Sequence, residues 1–360
     1  MKLEEFLMID ARRFEIAISF DSMYEIIQTR GLGTGTLFKK GRGIMKRGLF
    51  LIFLVILLFT SGCAQRILFE RGNGVTEAQI YRMRITGEAE TNISNNLFVD
   101  SSPNVCPDGK TIVFSSSRDV SGSTRVTDVY RSSKDIYIMD VNGRNVRQLT
   151  SGRGRARNPK CSPQGLVAFA APVHGFDRIW TVKTDGTGLR EVTNPGANEK
   201  DVECDFYDDG RRIVFVRADE PTGRGELYST YFDGSQPVYR ITNTPDISEN
   251  FPVVSHDGRL LAYVACSPET GRTTIRLINV GSWTPINEIV MQPPAVKVIR
   301  GLGFSCDDKR LYVAVESSDV AGTYQPNRFE LFSIRTDGGD QERITENGVG
   351  DYWPSAICNR

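Results

Sequence analysis

The sequence predicts an all-β protein: a six-bladed β-propeller of four-stranded antiparallel blades, its ring closed by strands from both ends of the chain. Three observations carry that expectation. A tight-turn motif recurs, with the residue before its Gly at Asp108, Gln164, Asp209, Asp257 and Asp307, spaced 56, 45, 48 and 50 residues apart. Each copy continues into further short apolar runs divided by turn residues. The two termini hold complementary fragments of one more copy. Four-stranded units recurring every ~40–50 residues point to a propeller, because one such sheet cannot bury both faces and must stack on neighbours.

Within a copy the elements follow in order. The clearest begins Ser102-Pro103-Asn104-Val105-Cys106 and turns at Pro107-Asp108-Gly109. Gly supplies the positive φ such a turn needs, and Asp satisfies nearby backbone donors. The second strand reads Ile112-Val113-Phe114, then Val167-Ala168-Phe169, Ile213-Val214-Phe215, Leu261-Ala262-Tyr263 and Leu311-Tyr312-Val313 in later copies. The third reads Ile136-Tyr137-Ile138, Ile179-Trp180-Thr181, Leu227-Tyr228-Ser229, Ile275-Arg276-Leu277 and Leu331-Phe332-Ser333. These β-branched and aromatic residues suit a pleated, buried surface. A fourth strand is expected to end at Leu149-Thr150, Val192-Thr193, Ile241-Thr242, Ile289-Val290 and Ile344-Thr345.

The sixth copy is split. Arg66–Phe69, Gln79–Met83 and Asn92–Ser94 match strands two to four, and the missing first strand is Asp351–Ile357 at the other terminus. A blade sewn from both ends leaves no open sheet edge.

These repeats resemble the TolB-type propeller repeat, a WD40-like family whose pattern is Pro-x-Phe-Ser-Pro-Asp-Gly-Lys, a Phe-ending strand, Ile-Tyr-x-Met, Asp-Gly, then Leu-Thr. The likeness runs from Arg66 to Arg360. It implies a propeller that binds envelope proteins or peptides. The family carries a separate α/β domain before its propeller, and the residues ahead of Arg66 are not expected to supply one.

Three regions are therefore expected. Residues 1–44 carry no repeat and read as an unstructured extension, or as sequence upstream of a true start at Met45. Residues 45–62 read as an export signal: Met45-Lys46-Arg47, an apolar run from Leu49 to Phe59, then Thr60-Ser61-Gly62. That run is short of the ~20 apolar residues of a spanning helix. The small residues before Cys63 resemble a bacterial lipobox, which makes Cys63 the expected lipid attachment site and residues 63–360 the propeller. The first strand begins three positions after Cys63, a reach of about 10 Å, so a lipid there would hold the Pro-Asp-Gly face toward the membrane.

Charge agrees with an exported globular domain. Residues 1–62 hold nine basic and six acidic side chains; the remaining 35 and 38 leave a net charge of −3. No electrostatic footprint for nucleic acid exists in that balance. Six cysteines follow Cys63: Cys106, Cys161, Cys204, Cys266, Cys306 and Cys358. All but Cys266 fall in a first strand or the turn after it, one per blade. Equivalent points on neighbouring blades are expected to exceed the ~7 Å Cα limit for bridging, so buried thiols are expected. No Cys-x-x-Cys spacing suggests zinc.

For function, the turns after strands one and three share a face and are stereotyped. The connections after strands two and four share the other face and vary, which is where binding residues are expected. The candidates there are Arg153, Arg155 and Arg157, suited to a carboxylate or acidic peptide, with His174 beside Asp177, and Asp351-Tyr352-Trp353. The other histidine, His256, reads as a solvated turn residue. No Gly-x-Ser-x-Gly elbow occurs, and neither a cofactor nor a metal is expected. The reading is a monomeric, non-catalytic, lipid-anchored docking platform in the periplasm or at the cell surface. The alternative is a propeller enzyme or carbohydrate-binding protein acting on envelope or extracellular polysaccharide.

Overall fold

In a computed structural model the described residues are 65–72, 77–118, 133–291, 298–318 and 324–358, with the strand segments 7–11 and 14–18. The chain divides into two units, Met1–Cys63 and Ala64–Arg360. In the first, β1 (Leu7–Ala11) and β2 (Phe14–Ile18) pair antiparallel. The other residues of 1–44 lie outside the described residues. Phe14, Ile16 and Ile18 alternate with Glu15 and Ala17, a period-two pattern that favours a strand. The export signal of residues 45–62 and Cys63 lie outside the described residues.

The second unit contains six four-stranded antiparallel sheets. Blade 1 runs in the order β26 (Asp351–Ile357), β3 (Arg66–Gly72), β4 (Ala78–Arg84) and β5 (Thr91–Asn92). Blade 2 is β6 (Asp100–Val105), β7 (Thr111–Ser116), β8 (Asp135–Asp140) and β9 (Arg147–Gln148). Blade 3 is β10 (Arg157–Cys161), β11 (Leu166–Val173), β12 (Phe176–Lys183) and β13 (Arg190–Glu191). Blade 4 is β14 (Glu199–Tyr207), β15 (Arg212–Asp219), β16 (Gly225–Tyr231) and β17 (Tyr239–Arg240). Blade 5 is β18 (Ser248–Val254), β19 (Leu260–Cys266), β20 (Thr273–Asn279) and β21 (Pro285–Ile289). Blade 6 is β22 (Ile299–Phe304), β23 (Arg310–Ser318), β24 (Tyr324–Arg335) and β25 (Glu342–Arg343). The expected split blade is present: Tyr352 pairs with Glu70, Ser355 with Leu68 and Ile357 with Arg66.

Apolar side chains of adjoining blades form the core. At the closing seam, Phe69 and Met83 of blade 1 pack with Ala314 and Leu331 of blade 6, all fully buried. Burial of each large side chain there stabilises the ring by about 1.5–3 kcal/mol.

The outer strands are shorter than the sequence suggests, and the Leu-Thr pair explains why. Its Thr does not extend the ladder; its hydroxyl accepts a backbone N–H from within the third strand. Thr150 Oγ1 accepts from Ile136 N at 3.0 Å, Thr193 from Ile179 at 3.0 Å, Thr242 from Leu227 at 2.9 Å and Thr345 from Leu331 at 2.9 Å. Ser94 does the same for Ile80 at 2.9 Å. Blade 5 has Val290 at this point, and there β21 runs on to pair Ile289 with Ile275.

A second repeated device is an arginine clamp. An acid two residues before the bulge of the first strand meets an arginine lying over the aromatics of strands two and three. Arg71 grips Asp351 through Nε and Nη2 (2.6 and 3.0 Å) and covers Phe69 and Tyr81. Arg217 grips Asp201 at 2.7 and 2.9 Å over Phe215 and Tyr228. Arg118 meets Asp100 at 2.5 Å over Phe114 and Tyr137. The three aspartates are fully buried, so each needs its partner to offset desolvation.

Four cysteines are disulfide-bonded, which corrects the expectation of free thiols. Cys106 joins Cys161 and Cys306 joins Cys358, with Cα separations of 5.0 and 5.5 Å. The innermost strands converge on the wheel's axis more closely than the blades do further out. At Gly303 an added Cβ would lie 2.3 Å from the carbonyl oxygen of Pro354 on the neighbouring blade. That convergence brings the sulfurs within bridging range. Cys204 and Cys266 remain free, and burial pushes the Cys204 thiol up to about 12, which makes it inert.

Candidate functional site: a channel opening on the turn face

Each innermost strand breaks register once, between Tyr352 and Ser355, Ser101 and Asn104, Arg157 and Lys160, Val202 and Cys204, Asn250 and Val253, and Ile299 and Leu302. At the break, Trp353, Ser102, Asn158, Glu203 and Phe251 adopt φ of 49–55°, and Gly301 adopts 97°. One bulge per blade thus forms a ring about the axis. Bulges re-aim side chains, and left-handed conformations at non-glycine residues persist only where surrounding structure holds them.

Contacts between these residues run from blade to blade around the axis. Ser102 Oγ donates to Asn158 Oδ1 at 3.3 Å, and Phe251 N donates to Glu203 Oε2 at 2.7 Å. The rings of Phe251 and Trp353 meet edge to face at 5.3 Å although blade 6 stands between their strands. Blade 6 contributes Gly301 there, whose missing side chain leaves the space; an added Cβ would come within 3.0 Å of the Trp353 backbone. Burial pushes the Glu203 carboxyl up to about 7, against the hydrogen bond from Phe251 and the charge of Arg157.

Two residues further along each strand lies a second ring: Ser355, Asn104, Lys160, Asp205, Val253 and Gly303. It lines a cavity of about 180 Å³ that opens among the turns between first and second strands. Side chains of this ring tie blade to blade by accepting a backbone N–H from the next. Ser355 Oγ accepts from Val105 at 3.1 Å, Asn104 Oδ1 from Cys161 at 3.4 Å and Asp205 Oδ2 from Val254 at 2.9 Å. Burial raises the Asp205 carboxyl while the neighbouring Lys160 charge opposes it. At this level blades 1 to 4 therefore give the cavity polar side chains and blades 5 and 6 give Val253, Gly303 and Phe304, while the blade 5 turn adds His256 and Asp257 nearer the mouth. Such a pocket suits a side chain or loop presenting both characters.

The residues expected to bind are distributed differently. Arg157 is bidentate to Asp177 at 3.1 and 2.5 Å. Arg153 lies over the Trp180 ring at 5.0 Å, and Arg155 is exposed. His174 occupies the β11–β12 turn with φ of 50°, followed by Gly175, and is also exposed. Asp351 belongs to the arginine clamp, and Tyr352 is buried against Phe329 with ring centroids 4.9 Å apart. Trp353 reaches the channel. Structure thus brings Arg157 and Asp177 together, sends Trp353 to the axis, and leaves Arg155 and His174 on the opposite face from the cavity. The second ring escaped sequence reasoning. Its signal was the proline that follows the bulge in four copies, Pro103, Pro159, Pro252 and Pro354, a residue tolerated in strands chiefly at bulges and edges. Among the described residues, no group of three or more His, Cys, Asp or Glu is placed to hold a metal ion.

These features define a closed six-bladed β-propeller whose axial channel is plugged by aromatic and polar bulge residues and open on the turn face. Comparison with known proteins finds it similar to TolB, in sequence over half of its length and in the fold of the propeller. Over 186 residues, 52% of this chain, it is 26% identical to the Tol-Pal system protein TolB of Francisella tularensis subsp. tularensis, spanning 40% of that protein's length. The crystal structure of TolB from Acinetobacter baumannii superposes with a TM-score of 0.59 at 18% identity, covering 81% of this chain and 66% of that one. The structure of a putative TolB from Agrobacterium tumefaciens gives 0.57 at 17% identity, covering 79% and 91%. No family model matches the chain.

Proposed function

We propose that this chain is an exported, lipid-anchored propeller of the cell envelope that works without catalysis, docking a protein or peptide at the turn-face mouth of its channel. The observation that carries this reading is the cavity itself, preformed and drawing residues from all six blades. A preformed site loses little ordering entropy on binding. Similarity to TolB, a protein of the Tol-Pal system, supports an envelope protein as the partner and the periplasm or cell surface as the location. A lipid on Cys63 would hold the turn face, and with it the cavity, toward the membrane. The crossover-face residues Arg155 and His174 are then peripheral contacts, and the chain acts as a monomer.

The test is affinity capture from detergent-solubilised envelope by the full chain. A rim variant carrying Pro163→Arg and Asp209→Arg, both on exposed turn residues, should lose the proteins that the wild type retains. Capture indifferent to the rim would overturn docking at this face. Separately, Cys63→Ala should move the protein from the membrane to the soluble fraction, and unchanged membrane retention would overturn the anchor.

A further inference from the structure

His256 stands where two other turns carry proline: Ser255-His256-Asp257-Gly258 against Cys106-Pro107-Asp108-Gly109 and Ser162-Pro163-Gln164-Gly165. It is held on two sides. Its backbone N–H donates to Asp308 Oδ1 at 2.8 Å, a bond proline cannot make. Its ring Nδ1 lies 2.8 Å from the same oxygen, and Asp257 N donates to Oδ2 at 3.0 Å. The carboxylate of the blade 6 turn therefore fixes the imidazole and turns Nε2 toward Cys358 Sγ, 3.5 Å away. Carboxylate, imidazole and sulfur line up from blades 6, 5 and 1.

Cys358 is bonded to Cys306. A disulfide opens when a thiolate attacks one sulfur, faster the better the other leaves as thiolate. A neighbouring imidazolium stabilises a thiolate. The two sulfurs differ accordingly. Cys306 is partly exposed on the turn, while Cys358 is 7% exposed and faces the histidine.

We propose that Cys306–Cys358 is a thiol-exchange site with Cys306 as the attacked sulfur, His256 as the group that receives the leaving thiolate, and Asp308 as its positioning residue. An incoming thiolate bonds to Cys306 Sγ, the S–S bond breaks, and its electron pair leaves on Cys358 Sγ beside the Nε2 proton. A second thiol then attacks the mixed disulfide and frees Cys306. Two thiols are oxidised to a disulfide, and one propeller disulfide is reduced to two thiols. The bond ties β26 to blade 6, so exchange also unfastens the ring at its closing seam. Cys106–Cys161, between blades 2 and 3, is the internal reference. The only other histidine, His174, lies on a crossover-face turn. The inference does not rest on docking.

The experiment treats the oxidised full chain with reduced glutathione near neutral pH, quenches by alkylation and maps both disulfides by peptide mass spectrometry. Cys306–Cys358 should open about tenfold or more faster than Cys106–Cys161, with glutathione on Cys306 and the alkyl group on Cys358. His256→Gln should remove most of that advantage, and Asp308→Asn part of it, while Cys106–Cys161 keeps its rate. A cysteine-containing peptide in place of glutathione distinguishes a protein thiol from a small one as the favoured reactant. Equal opening of both disulfides, or no effect of His256→Gln, would overturn the proposal. If a variant loosens the fold and speeds both bonds, the wild-type assignment still decides: glutathione on Cys358 contradicts it.

Discussion

The two faces of the wheel differ in a way their loops conceal. The crossover face has the varied connections, yet its charged side chains are largely committed to the scaffold: Arg157 to Asp177, Arg153 to Trp180, and the arginine clamps to their buried aspartates. The turn face has uniform connections, yet the inner strands beneath them open a cavity lined by residues of all six blades. Variety in loop length tells where a chain tolerates change; room for binding depends on where the folded inner strands leave a cavity open.

That contrast can be broken by substitution. The largest effect is expected from Asp351→Ala, which leaves Arg71 buried without its main partner and cuts the tie between β26 and β3. Loss of one member of such a pair costs about 3–5 kcal/mol, measurable by denaturant unfolding. Thr150→Val should cost about 1–3 kcal/mol by orphaning the buried N–H of Ile136. The reverse change in blade 5, Val290→Thr, should gain nothing, because β21 already pairs there. Equal costs in both blades would refute the capping role of the Leu-Thr pair.

Glu203 sharpens the comparison through pH. Its folded pKa, about 7, lies above the ordinary carboxylate value, so the folded state holds its proton longer than the unfolded chain does. Its contribution therefore favours folding at low pH and is lost as pH rises from about 4.5 to about 7, then stays constant. Glu203→Gln should flatten that part of the stability profile and raise stability above neutrality by about 1–2 kcal/mol. The smallest effect belongs to the crossover face: Arg155→Ala, on an exposed side chain, should change stability by less than about 0.5 kcal/mol.

Much of the fold was legible because turn chemistry is local. Pro107-Asp108-Gly109 and its relatives mark their positions by backbone preference alone, and the split blade followed from matching Asp351–Ile357 to the other first strands. The Leu-Thr pairs looked like strand ends because apolar β-branched residues do; their role as caps needs the third strand's N–H in place. The disulfides depended on how closely inner strands approach the axis, a tertiary distance that sequence spacing does not encode. The channel was hidden for a related reason. Trp353, Ser102, Asn158, Glu203, Phe251 and Gly301 share a conformation but no chemical type, so no residue pattern marks the ring they form.

Site-specific photo-crosslinking in intact cells tests the central claim most directly, with a photoreactive residue placed at Pro163 on the turn face or at Arg155 on the crossover face. Docking at the channel mouth predicts a discrete adduct with an envelope protein from position 163 and little from position 155. An adduct formed from position 155 alone would contradict it.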